Sequence, residues 1–207
     1  LGAIAIGYIS GNTAQGTNAI AMGLQAGFTN QQSGAIAIGA NAGAVGITAG
    51  AVTGQDVNSI AIGNQAGQTA QDSGAIAIGL SAGASVQGTD AIAIGVTAGQ
   101  VTQGTFAIAI GNAAGQTQQG QFAVAIGRNT GNNFQREYAV AVGAFCGSSN
   151  QTSAAVAIGY VCGRDTQGFS AVAIGNLAGV SSQGSAAISI GYQAGRESQG
   201  SNAVAIG

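Results

Sequence analysis

The chain has no histidine and no lysine, and charged residues make up only 5% of its 207 positions. General acid–base and nucleophilic catalysis need a titratable group held beside a partner that activates it. Four arginines and six scattered acids supply no such pair, so the chain reads as non-enzymatic. A net charge of −2 with no basic stripe argues against nucleic acid or acidic lipid as a partner. The aspartates are too few and wrongly spaced for calcium-binding glycine-rich repeats, whose ligands recur in every unit. No glycine-rich segment joins the lysine and helix that a phosphate loop requires. No cofactor and no metal are therefore expected. Hydrophobic residues reach 46%, yet no apolar run exceeds a few residues. That excludes a spanning helix, so no membrane insertion by this segment is expected, and no signal-peptide pattern appears at Leu1.

What the chain does have is one pentapeptide repeated. Ala107-Ile108-Ala109-Ile110-Gly111 recurs, with Ile and Val exchanging, from Ala3–Gly7 to Ala203–Gly207 in steps of 16 residues. One step, from Ala35 to Ser59, is 24 residues. A fixed period marks a repeat architecture, and strict alternation closed by Gly marks a strand. The reading is one array over residues 1–207, twelve full coils plus a final strand, with an inserted loop within 39–54. Residues 39–45 and 46–52 are near-duplicates, so the excess reads as excluded from the ladder. With no capping repeat at either end, the array reads as part of a longer one.

The positions of a unit, numbered from its first Ala, form columns. Positions two and four are Ile or Val, apart from Met22; positions one and three are Ala, apart from Ser59 and Ser189. On a strand these sets face opposite ways. The branched ladder suits the interior of a coil. The Ala ladder (Ala77, Ala93, Ala109, Ala125, Ala141, Ala157 and Ala173) is then a flat outer face, expected to be an interface covered by another chain. Positions five and nine are Gly, which suits corners needing positive φ or tight packing. Position eight is always small.

Position thirteen is Gln in every full unit: Gln15, Gln31, Gln55, Gln71, Gln87, Gln103, Gln119, Gln135, Gln151, Gln167, Gln183 and Gln199. Identical amides at one-coil spacing can hydrogen-bond along a stack. A row of Gln that reads a sugar or peptide is the alternative. With strands about 4.8 Å apart, a 16-residue coil holds two short strands and two corners. The second strand falls near positions ten to thirteen. The expected fold is all-β: a parallel β-solenoid, a two-sheet β-roll of 16-residue coils.

The Ala-Ile-Gly signature, as at Ala77-Ile78-Gly79 and Ala173-Ile174-Gly175, resembles the head repeats of trimeric autotransporter adhesins of the Yersinia adhesin type. Similar repeats occur in phage and large-virus fibre proteins. The resemblance covers essentially the whole chain; the 16-residue period and the all-Gln column depart from the family pattern. It implies a left-handed roll, three chains side by side and adhesion at a cell surface. The expected function is a non-enzymatic extracellular structural or adhesive fibre module, on a cell surface, filament or virion. Its expected partners are further copies, as a homotrimer or filament, and a host or matrix protein or a glycan. A self-assembling filament or sheath protein and an ice-binding solenoid are the alternatives.

Three smaller groups stand out. Phe106, Phe122 and Tyr138 share position sixteen of successive units and should form an aromatic ladder. Cys146 and Cys162 share position eight on adjacent coils, with Cα atoms expected about 4.8 Å apart. Parallel side chains keep their Cβ atoms farther apart than a relaxed bridge prefers, so two reduced thiols in a column of small residues are expected. Arg164-Asp165 and Arg196-Glu197 read as solvated surface pairs, and Asn150-Gln151-Thr152 as a lone glycosylation sequon.

Overall fold

A computed structural model describes residues 2–44 and 54–207. The chain forms two units, Leu1–Phe106 and Ala107–Gly207, built to the same plan. In the first, strands Ile4–Ile6, Ile20–Met22, Ile36–Ile38, Ile60–Ile62, Ile76–Ile78 and Ile92–Ile94 pair in parallel, each with the next. In the second, Ile108–Ile110, Val124–Ile126, Val140–Ala144, Val156–Tyr160, Val172–Asn176, Ile188–Ile190 and Val204–Ile206 do the same. Identical positions lie opposite one another throughout, as in Ile60↔Ile76 and Ala125↔Ala141.

A second sheet runs through positions eleven to thirteen. Val86–Gln87 pairs with Thr102–Gln103 in the first unit, and Thr117–Gln119, Asn133–Gln135 and Ser149–Gln151 pair in succession in the second. No helix occurs among the described residues. The architecture is thus an all-β parallel β-solenoid with two sheets.

The corner after each long-sheet strand needs glycine for two reasons. Gly79 has φ of 129°, and a Cβ there would lie 2.5 Å from the carbonyl oxygen of Gly95 on the next coil. Backbone rests on backbone at that corner, held by Gly95 N donating to Ile78 O at 2.8 Å. No L side chain fits that approach.

The two faces of the sheet are the reverse of the sequence expectation. Ala77, Ala93, Ala109, Ala125, Ala141, Ala157 and Ala173 are fully buried inside their own coils. They form the core, not an interface, and no second chain is needed to cover them. The reason is the width of the lumen. A Cβ on Gly131 would lie 2.7 Å from Gln135 Oε1 and 3.1 Å from the Ala125 methyl. Only methyl groups fit where strand, Gly corner and Gln meet that closely. The Ile and Val side chains accordingly turn outward, with Ile126 and Ile158 each 38% exposed.

The insertion expected within 39–54 falls mainly on residues 45–53, which lie outside the described residues. On either side of it the ladder is in register: Ile36 pairs with Ile60, and Gln31 Nε2 donates to Gln55 Oε1 at 3.1 Å.

Left-handed backbone is not confined to glycine. Position seven carries φ values of 52° at Gln25, 54° at Thr97 and 58° at Leu177; position twelve has 54° at Phe134; position sixteen has 59° at Tyr138. Each costs on the order of 1 kcal/mol for an L residue. The offset comes from stacking, because these turns direct N–H groups at the preceding coil. Gln25 N donates to Tyr8 O at 3.1 Å, Thr97 N to Leu80 O at 2.9 Å and Tyr138 N to Gln121 O at 3.1 Å.

Candidate functional site

The all-Gln column points into the lumen. In the first unit Gln31, Gln55, Gln71, Gln87 and Gln103 are buried, with Gln15 half-buried; in the second Gln119, Gln135, Gln151, Gln167 and Gln183 are buried, with Gln199 half-buried. Each Nε2 reaches the carbonyl of position two in its own coil, as Gln87 does to Ile76 O at 2.7 Å. Within each unit it also reaches position one of the next coil, as Gln87 does to Ala91 O at 3.1 Å. Amide-to-amide bonds then run along the stack, from Gln71 to Gln87 and from Gln119 through Gln135 and Gln151 to Gln167. They are interrupted at the buried carbonyl oxygens of Gln71 and Gln183, which have no donor. This is internal cross-linking. A row buried in this way has no edge left to read a sugar or peptide.

The cysteines also depart from expectation, since Cys146 and Cys162 form a disulfide. Their Cα atoms are 4.6 Å apart, inside the range a bridge tolerates. Both side chains are fully buried in the column otherwise filled by Ala, Ser and Thr. Two unbonded sulfurs pointing into a lumen sized for methyl groups would crowd each other, and bonding removes that overlap.

The surface is left with few candidates. The outward columns of positions two and four present β-branched side chains on every strand, and no charged residue occupies either column. In the second unit Phe122 and Tyr138 stack with centroids 5.2 Å apart and planes 3° apart, at 43% and 58% exposure. Phe106, also exposed, is the last residue of the first unit. Arg164 and Asp165 form a bidentate pair, Nε to Oδ1 at 2.8 Å and Nη2 to Oδ2 at 2.9 Å. That hydrogen bonding, assisted by Ser181 Oγ at 3.0 Å, holds the Asp165 carboxyl below its ordinary range despite partial burial. The same bonding raises the Arg164 guanidinium. Both side chains are exposed, so the pair contributes little. Among the described residues no cluster of three His, Cys, Asp or Glu could hold a metal ion. Among the described residues no helix is long and apolar enough to cross a membrane.

One group escaped the sequence reading. Arg128 lies over the ring of Phe145, its guanidinium carbon 5.4 Å from the centroid. Tyr160 meets the same ring edge-on, centroids 6.4 Å apart and planes at 87°. These residues occupy positions six and seven of three successive coils, a corner whose side chains vary from unit to unit. Their spacings of 17 and 15 residues straddle the period, and that near-period offset was the available signal. The chain matches no family model, no curated protein and no solved structure.

Proposed function

We propose that this β-solenoid is a non-enzymatic structural module of an extracellular fibre or adhesin, in which chains lie side by side. The observation that carries the reading is the outward Ile/Val face. Monomeric proteins rarely expose a contiguous apolar patch of more than a few hundred Å². Here every long-sheet strand exposes two apolar side chains in register. The ridges on that face repeat at the strand spacing of about 4.8 Å. A partner whose ridges fit between them has the same repeat, and a second copy of the chain provides it. The association surface is therefore the Ile/Val ladder, with the Ala ladder internal. The resemblance to adhesin and viral fibre repeats favours three chains. The disulfide supports an oxidising, extracellular location, since such bonds persist mainly there.

Sedimentation tests the reading. The wild-type chain should sediment as a defined oligomer. The double variant Ile126→Lys, Ile158→Lys should sediment as a folded monomer with an unchanged circular dichroism spectrum. A wild-type chain that stays monomeric at every concentration overturns side-by-side association. Mass that grows without limit as concentration rises assigns the chain to the filament class.

A further inference from the structure

The corner formed by Arg128, Phe145 and Tyr160 is unlike the rest of the surface, and three independent features meet there. The first is an available cation. Arg128 is exposed, and among the described residues no carboxylate lies within ion-pair distance of it. Its guanidinium rests on the Phe145 ring. A guanidinium held over an aromatic ring keeps the donors in its plane, where they can fork onto a carboxylate. The second is an available aromatic surface. Tyr160 meets Phe145 edge-on and remains 51% exposed. The third is stiffness. The Cys146–Cys162 disulfide joins the coils that carry Phe145 and Tyr160. In these coils and the next, the strands run on through Gly143, Gly159 and Gly175 to give Val140–Ala144, Val156–Tyr160 and Val172–Asn176. Long-sheet strands elsewhere stop after three residues, as Ile108–Ile110 does.

The Tyr160 ring and the Phe145 ring that seats Arg128 both lie on these braced coils, and together they make a preorganised recognition surface, which loses little entropy when a ligand binds. We propose that this corner binds an acidic oligosaccharide. Arg128 takes the carboxylate of a uronate-type sugar, and the exposed Tyr160 ring takes the C–H face of the neighbouring pyranose. Arg128 and Tyr160 share position six two coils apart, about 10 Å along the stack. That span calls for at least a disaccharide. Arg128, Phe145 and Tyr160 all come from one chain, so the site is complete without a residue from a neighbour.

Calorimetric titration of the unreduced protein, in whatever assembly it adopts, tests the proposal with three probes: tetragalacturonate, a neutral galactose tetrasaccharide and tetraglutamate. Tetragalacturonate should bind saturably, and more weakly as salt is added. The two other probes should bind at least about tenfold more weakly, because each lacks one of the two recognised features. Arg128→Gln and Tyr160→Asn should each weaken tetragalacturonate about tenfold. Both keep polar residues of kinds already found on this surface, as at Asn112 and Asn176, so circular dichroism should stay unchanged. Arg196→Gln, remote in sequence on the last coils, should bind as wild type. Three outcomes overturn the proposal: no saturable binding of tetragalacturonate by about 1 mM, tetraglutamate binding as tightly, or Arg128→Gln leaving affinity unchanged in a folded protein.

Discussion

Gln135 Nε2 donates to Gln151 Oε1 across 3.0 Å, between adjacent coils, and both side chains are fully buried. The same nitrogen reaches Val124 O at 2.8 Å and Ala139 O at 3.3 Å. One amide therefore ties its own strand, the following corner and the next coil together. Gln135→Leu removes those bonds and leaves Gln151 Oε1 buried without a donor. The expected cost is roughly 3 kcal/mol, the scale of one unsatisfied buried carbonyl plus lost hydrogen bonds. Urea denaturation should show the midpoint falling.

Gln135→Glu separates hydrogen bonding from shape. A carboxyl at this fully buried site has its folded pKa raised by desolvation, because burial disfavours the charged form. The variant should be most stable below the unfolded Glu pKa of about 4.3. It should lose stability as pH rises from there through the folded value. A variant equally stable at pH 4 and pH 8 would show that the lumen admits water at Gln135.

Much of this was legible in the residues, and the part that was not has a physical cause. The period, the parallel register and the Gln column follow from repetition, since identical units stack in one way. The direction of the faces did not follow, because Ala and Ile both alternate and both are apolar. The lumen width decides it, and that width is set by Gln135 and Gly131 meeting Ala125 across the coil. The left-handed corners were half-signalled by Asn18, Asn58, Asn129 and Asn202, residues that tolerate positive φ. Leu177, Val161 and Phe145 at such corners masked the pattern. Equal spacing of Cys146 and Cys162 placed them as neighbours but could not say whether they bond.

The inward Ala ladder makes a graded prediction. Ala125→Leu adds bulk where a Cβ on Gly131 would already be 3.1 Å from the Ala125 methyl. It should cost roughly 3 kcal/mol or prevent folding. Asn112→Arg, at an exposed corner, should change stability by less than about 0.5 kcal/mol. Thermal midpoints for the two variants should differ widely. Equal midpoints would mean the lumen is wider than its contacts imply.

The disulfide should be read out by mass. Unreduced protein should be lighter by two hydrogens than the reduced chain, with the loss mapped to the peptides holding Cys146 and Cys162. Both sulfurs are fully buried, so a mild reductant should act slowly until denaturant opens the coils. The double variant Cys146→Ala, Cys162→Ala keeps the small residue its column carries and should fold. It should be less stable by about 3 kcal/mol, the chain-entropy value for a loop of this length.

Asp72 offers a stabilising substitution with a definite pH signature. Its carboxyl is held above the ordinary aspartate range, first by partial desolvation against the corner and then by the Asp56 carboxylate on the adjacent coil. A raised folded pKa means that Asp72 is best tolerated when protonated. Its contribution is therefore fully present below the unfolded value and is lost as pH rises through the folded one. Asp72→Asn removes the charge at a position that holds Gln32 and Thr152 in other coils, so the corner accepts the side chain. The side chain is exposed and solvent screens the repulsion, so the gain at pH 7 should be roughly 0.5 kcal/mol. It should vanish below about pH 3, under the ordinary aspartate value, where Asp72 itself is protonated and carries no charge to remove. Denaturation midpoints of the two proteins at pH 7 and pH 2.5 give the answer. A variant no more stable at pH 7, or equally stabilised at both values, would show that repulsion between Asp56 and Asp72 is not what strains this corner.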